Sequence, residues 1–240
     1  MTTICNNLEN VHQRMAQACA KAGRDASGVA LLAVSKTFGA DTVCVAAQAG
    51  QRAFGENYVQ EGIDKIVALR AAGWEKLQWH CIGPLQSNKT RLVAEHFDWV
   101  HTIDRLKVAE RLSAQRPAHL APLQVCLQLN VDGGTNKAGV PPEEALALAR
   151  AVAQLPHLTL RGIMSIPEPT IEFEAQRALH LRAKVVFDAI ADAGGVGLQH
   201  FDTLSLGMTA DLEAAVAAGS TLVRVGSGIF GGRTPAAAAG

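Results

Sequence analysis

Short apolar runs rich in β-branched residues recur at regular intervals along the chain. They lie at 29–36 (VALLAVSK), 52–57 (RAFGEN), 77–83 (LQWHCIG), 99–103 (WVHTI), 123–131 (LQVCLQLNV), 158–166 (LTLRGIMSI), 201–207 (FDTLSLG) and 221–226 (TLVRVG). Several are almost continuously apolar, as strands buried on both faces should be. Between them lie stretches rich in Ala, Leu, Glu and Arg at helical spacing, at 41–49, 58–72, 87–97, 105–116, 142–154, 171–193 and 210–218, with one more at 8–22. Pro142 suits a first helical turn, Asp41 a cap, and Gly73, Gly194 and Gly219 stand where helices should stop. Strands alternating with helices in this way predict the α/β class, as a single-domain (β/α)8 TIM-type barrel with an extra N-terminal helix. The barrel is expected over 1–233, with 234–240 as a disordered tail. A doubly wound open sheet is the rival. The first run ends in Val34, Ser35, Lys36 and Thr37, and neither GxGxxG nor GxxxxGK[ST] follows it, which disfavours a nucleotide-binding version.

Composition narrows the class of protein. With 48% hydrophobic and 18% charged residues in 240, the chain is globular and long enough for a large core without metal or disulfide staples. Lys plus Arg and Asp plus Glu are each 22, so a strongly basic nucleic-acid binder or membrane-surface protein is not expected. The five cysteines are odd in number, widely spaced and without a CxxC pair, which fits a reducing cytoplasm. The eight histidines show no HExxH spacing, so no metal site is expected.

In a barrel, chemistry sits at the C-terminal ends of the strands. Those positions hold Lys36, Glu56, Asn57, His80, Asn130, Met164 and Ser165, the set Ser205, Gly207 and Thr209, and the set Arg224, Gly226, Ser227 and Gly228. Lys36 follows the apolar run VALLAV, which directs its amine toward the barrel mouth. A lysine with an apolar stem environment is a candidate Schiff-base nucleophile, and a solvated strand-end lysine is the plain alternative. The loops after strands seven and eight often hold a phosphate, through glycines that admit backbone N–H groups and through hydroxyl donors. Ordinary turn chemistry would use the same residues. Strand eight neighbours strand one in a closed barrel. A lysine beside a phosphate cup, with Arg224 on the same face as Gly226, describes a pyridoxal 5'-phosphate (PLP) site. A salt bridge in the barrel interior is the other use for Arg224. His80 reads as a hydrogen-bonded core or mouth residue, and Trp74, Trp79 and Trp99 as packing.

The segments AVSKTF at 33–38, FGENYVQE at 54–61, WHCIGPLQSNK at 79–89, RGIMSIP at 161–167 and LSLGMTADLEAAVAAGSTLVRVGSGIFG at 204–231 carry a resemblance over nearly the whole chain. Together they resemble the pyridoxal phosphate homeostasis protein family, with its barrel of the alanine racemase N-terminal type. The resemblance implies Lys36 as the aldimine lysine, Ser205, Gly226 and Ser227 at the phosphate, Arg224 at the ring nitrogen, and Met164 and Asn57 near the ring. The chain departs from the family's usual pattern at Phe38, Gly39, Cys81 and Ser227, and in the segment NVDGGTNKAG at 130–139. Phe38 lowers the basic character of the mouth.

The implied role is to hold PLP as a reversible Lys36 aldimine in vitamin B6 and amino-acid homeostasis, without a dedicated turnover reaction. PLP-dependent apoenzymes are the expected partners, and the chain is expected to act as a cytoplasmic monomer. A racemase is the alternative, but racemisation needs a base on each face of the substrate carbon. The sole tyrosine, Tyr58, reads as a helix-packing residue rather than a second base. A guanidinium against the ring nitrogen also weakens the ring as an electron sink. A third possibility is a sugar-phosphate barrel enzyme in which Lys36 attacks a carbonyl.

Overall fold

The computed structural model describes residues 3–133 and 138–232. Eight parallel strands close into a barrel in sequential order: β1 (Ala30–Val34), β2 (Ala53–Glu56), β3 (Gln78–Cys81), β4 (Trp99–Ile103), β5 (Leu123–Leu129), β6 (Leu158–Ser165), β7 (Thr203–Ser205) and β8 (Leu222–Val225). β8 returns to β1 in register, with Leu32 opposite Arg224 and Ala33 opposite Val225. The helices are α1 (Thr3–Lys21), α2 (Ala40–Gln48), α3 (Val59–Ala71), α4 (Thr90–His96), α5 (Leu106–Gln115), α6 (Pro142–Ala153), α7 (Phe173–Ala193), α8 (Leu212–Ala217) and α9 (Ser227–Phe230). Every expected strand and helix is present, and α1 is the extra N-terminal helix. The short α9 has no signature in the sequence, because four residues after a glycine leave no periodicity to read. Among the described residues, no helix is long and apolar enough to cross a membrane. The expected tail at 234–240 lies outside the described residues.

Side-chain alternation along the strands builds two separate apolar regions. Leu31 and Ala33 of β1, Trp79 of β3 and Val223 and Val225 of β8 point outward into the main core between sheet and helices. Leu32, Val34, Ile82 and Leu222 fill the barrel interior, as do Trp99, Cys126 and Met164. Helix stops fall at Gly73, Gly194 and Gly219, all with positive φ. The start of α2 differs from expectation: Gly39 is the cap and Asp41 sits in the first turn. A carboxylate there still faces the positive end of the helix dipole. Tyr58 is a second departure. It stands at the N-cap position of α3 and is 59% exposed, so more of it meets solvent than a packing residue should.

Candidate functional site

A cavity of about 380 Å³ opens at the C-terminal ends of the strands, lined by Lys36, Asn57, Thr209, Arg224, Gly226 and Ser227 among others. Five of the seven expected site residues therefore meet there. Lys36 stands two residues past the end of β1, half-buried, on the same alternation as the inward Leu32 and Val34. Across the cavity, Thr209 and Ser227 bring their hydroxyls within 3.3 Å of each other, and the Gly228 N–H donates to Thr209 Oγ1 at 3.3 Å. Gly207 makes the turn after β7 possible: its φ is +86°, and a Cβ there would meet Ala215 Cβ at 2.4 Å.

The extra N-terminal helix fastens this side of the mouth. Arg14 of α1 donates to the Thr209 carbonyl at 2.9 Å and forks onto Glu213 of α8, while Asn7 donates to the Ile229 carbonyl at 2.8 Å. Phe38 supplies an aromatic contact in place of charge, with its ring centroid 5.2 Å from that of Phe230. That contact ties the loop carrying Lys36 to α9.

Arg224 forms part of the floor. Its Nη1 donates to the Ser205 carbonyl at 2.6 Å and to Ser205 Oγ at 2.7 Å, and its Nη2 donates to the Ser165 carbonyl at 2.9 Å. Burial pushes the guanidinium down to about 10, partly opposed by Asp211 and Cys126, so it remains a cation at neutral pH. A guanidinium has five donors, so Arg224 keeps capacity for an acceptor in the cavity it lines.

Two expected residues lie elsewhere. Ser205 is fully buried, does not line the cavity, and uses its hydroxyl beneath Arg224. Strand alternation turns it toward the barrel axis one layer below the rim. Met164 is also fully buried and packs with Trp99 and Cys126 under the floor. Thr209 and Thr37 line the cavity in their stead.

Below Ser205 runs a polar chain along the barrel interior. Ser205 Oγ meets His101 Nδ1 at 3.2 Å, His101 Nε2 meets His80 Nδ1 at 2.9 Å, and His80 Nε2 meets Gln78 Oε1 at 3.1 Å. The carbonyl oxygen of Gln78 only accepts, so both rings carry their proton on Nε2 and Ser205 donates to His101. Burial holds His80 down to about 3, and burial together with His80 and Arg224 holds His101 well below its ordinary value. Both are neutral packing groups, as the placement of His80 in an apolar strand anticipated. The barrel thiols Cys81 and Cys126 are each pushed up to about 12 by burial, which excludes them as nucleophiles at neutral pH.

The family model for the alanine racemase N-terminal domain matches residues 6–234. The pyridoxal phosphate homeostasis protein of Escherichia coli strain K12 is 51% identical over 233 residues, covering 97% of this chain and 98% of that protein. The structure of PipY from Synechococcus elongatus with PLP bound is 35% identical with a TM-score of 0.77, covering 92% of this chain and all (100%) of that one. An alanine racemase from Corynebacterium glutamicum shares the fold at 17% identity and a TM-score of 0.66, with 98% of this chain matching 62% of that one. The chain belongs to the alanine racemase N-terminal domain family and, within it, to the pyridoxal phosphate homeostasis proteins.

Proposed function

We propose that this chain binds PLP in the cavity at the barrel mouth and serves intracellular PLP and amino-acid homeostasis by holding and releasing the cofactor. The observation that carries this reading is the convergence of Lys36, the Thr209–Ser227 hydroxyl pair and the buried cation of Arg224 on one cavity. The fit is chemical as well as spatial. Thr209, Gly226 and Ser227 offer hydroxyl and backbone donors for a phosphate, and Arg224 offers N–H groups to a ring nitrogen. When bound, PLP supplies an aldehyde that condenses reversibly with a primary amine, and Lys36 supplies that amine. Asn57, which lines the cavity, would lie near the ring, while Ser205 and Met164 would act from beneath, the first through Arg224 and the second by packing.

Holding is favoured over turnover by two features of the residues present. Arg224 donates but does not accept a proton, so it leaves a pyridine nitrogen unprotonated and weakens electron withdrawal by the ring. Tyr58 stands in solvent outside the cavity lining and is not placed as a second base. The names of the relatives agree with this role. The reading extends to PLP-dependent apoenzymes as recipients, to a monomer as the working unit, and to the reducing cytoplasm that the cysteine pattern favours.

The test is a titration of the purified protein with PLP, followed by dilution and by incubation with L- or D-alanine in deuterated water. Holding predicts a visible band that grows with PLP and fades on dilution, with no deuterium at the alanine α-carbon. Deuterium uptake would favour the racemase reading. A colourless protein that binds sugar phosphates would favour the third.

A further inference from the structure

The alternation that turns Lys36 toward the cavity turns its neighbour Ser35 outward, toward α3. Ser35 is fully buried and meets a cluster of charge there. Its Oγ donates to Glu56 Oε1 at 2.5 Å, and its carbonyl accepts from Lys65 Nζ at 2.7 Å. The same ammonium donates to Glu56 Oε1 at 2.8 Å and to Glu61 Oε1 at 2.7 Å. Glu61 Oε1 in turn accepts the Thr37 N–H at 2.5 Å. The residues on both sides of Lys36 are thus held by one network of two carboxylates and a lysine.

Two features mark this network as more than an ordinary ion pair. Thr37 has φ +70°, in the left-handed region that a β-branched residue occupies only when its surroundings impose it. The Glu61 contact is one that imposes it. Glu56 is fully buried, and its Oε2 has no hydrogen-bond partner, a cost tolerated beneath Ser35.

We propose that Glu56, Lys65 and Glu61 form a positioning clamp that fixes Ser35 and Thr37 and so aims the Lys36 amine into the cavity. This rests on the reading of Lys36 as the amine that captures PLP. Glu61 and Lys65 sit one turn apart on α3, with Glu61 at the solvent edge of the network and Lys65 buried within it. The clamp therefore couples the first turns of α3 to the loop after β1.

Glu61→Ala is the informative variant. Lys65 stays paired with Glu56, so no buried charge is left alone, whereas removing Lys65 would leave two carboxylates facing each other and risk unfolding. Three readouts are compared in wild type, E61A, E61Q and E61A/T37G. The first is hydrogen exchange at the Thr37 amide without cofactor. The second is the rate at which PLP becomes fixed to Lys36 by borohydride. The third is the affinity for pyridoxamine 5'-phosphate, which has the ring and phosphate but no aldehyde.

The clamp predicts that E61A speeds Thr37 exchange and slows PLP capture, each by about tenfold, with pyridoxamine 5'-phosphate affinity unchanged within about twofold. E61Q keeps an acceptor for the Thr37 N–H and retains most of the capture rate. Glycine at 37 accepts positive φ without strain, so E61A/T37G recovers part of it. Equal losses for both ligands, or an unchanged capture rate, would overturn the proposal. If wild type captures no PLP, the functional reading fails separately. The clamp is then decided by Thr37 exchange, and unchanged exchange in E61A refutes it.

Discussion

Ser205→Ala removes a single oxygen from a fully buried site and tests the polar chain through the barrel. That oxygen accepts from Arg224 Nη1 at 2.7 Å and donates to His101 Nδ1 at 3.2 Å. Arg224 retains the carbonyls of Ser205 and Ser165, so its charge stays partly compensated. The loss is one charge-assisted hydrogen bond plus the desolvation cost of an imidazole nitrogen left without a donor, together about 2–4 kcal/mol. For a domain of this size that is a melting temperature lower by about 5–10 °C. Urea unfolding with an unchanged m-value measures it directly. Adding His101→Phe removes the stranded acceptor, so the double variant should lose less than the sum of the two single variants, by about 1 kcal/mol. A Ser205→Ala protein within about 0.5 kcal/mol of wild type, or strict additivity in the cycle, would refute the hydrogen-bonded chain through Arg224, Ser205 and His101.

The two barrel histidines make stability depend on pH. Burial depresses His80 to about 3 and holds His101 low as well, so the unfolded chain takes up protons that the fold refuses. Stability should fall as pH drops below about 6.5, by about 2 kcal/mol at pH 5 for His80 and further for His101, and H101F should flatten the profile in urea unfolding. Asp211 and Glu213 add a later acid loss. Burial raises Asp211, but His180, the Met208 N–H and Arg224 outweigh it, while the Arg14 hydrogen bond lowers Glu213. Their contribution is present above about pH 4 and is lost as pH falls through their folded pKa values, and D211N should remove part of that loss. Gly162→Ala would place a Cβ 1.7 Å from the Thr203 carbonyl oxygen and force β6 from β7, so a loss above about 4 kcal/mol or no folded protein is expected by circular dichroism. Arg14→Met unties the Thr209 loop from α1 and should weaken PLP binding about threefold in a fluorescence titration, a modest effect for a half-exposed tether.

The barrel was legible because each strand is a short apolar run closed by a turn residue, and the observed strands lie inside the expected runs. Lys36, Asn57, Arg224, Gly226 and Ser227 were legible because strand ends in a barrel face one mouth. Ser205 and Met164 share that face by their place in the strands but lie a layer deeper. Strand numbering gives the face of a residue and not its height above the packed interior. A histidine in WVHTI looks the same in sequence whether it packs in the core or joins a hydrogen-bonded chain. Its role appears only when β3, β4 and β7 bring His80, His101 and Ser205 into line. The clamp was half visible: Glu61 and Lys65 are an ordinary i,i+4 helix pair in sequence. Only the packing of α3 against β1 and β2 buries Lys65 between Ser35 and Glu56.

The proposed capture of PLP falls to one atom, the Nζ of Lys36. The most direct measurement is peptide mass mapping after PLP addition and borohydride reduction, for wild type and Lys36→Ala. Capture at Lys36 predicts a pyridoxyl-phosphate mass on the peptide containing Lys36 and no fixed cofactor in the variant. Label on another lysine, or equal label in Lys36→Ala, would contradict it.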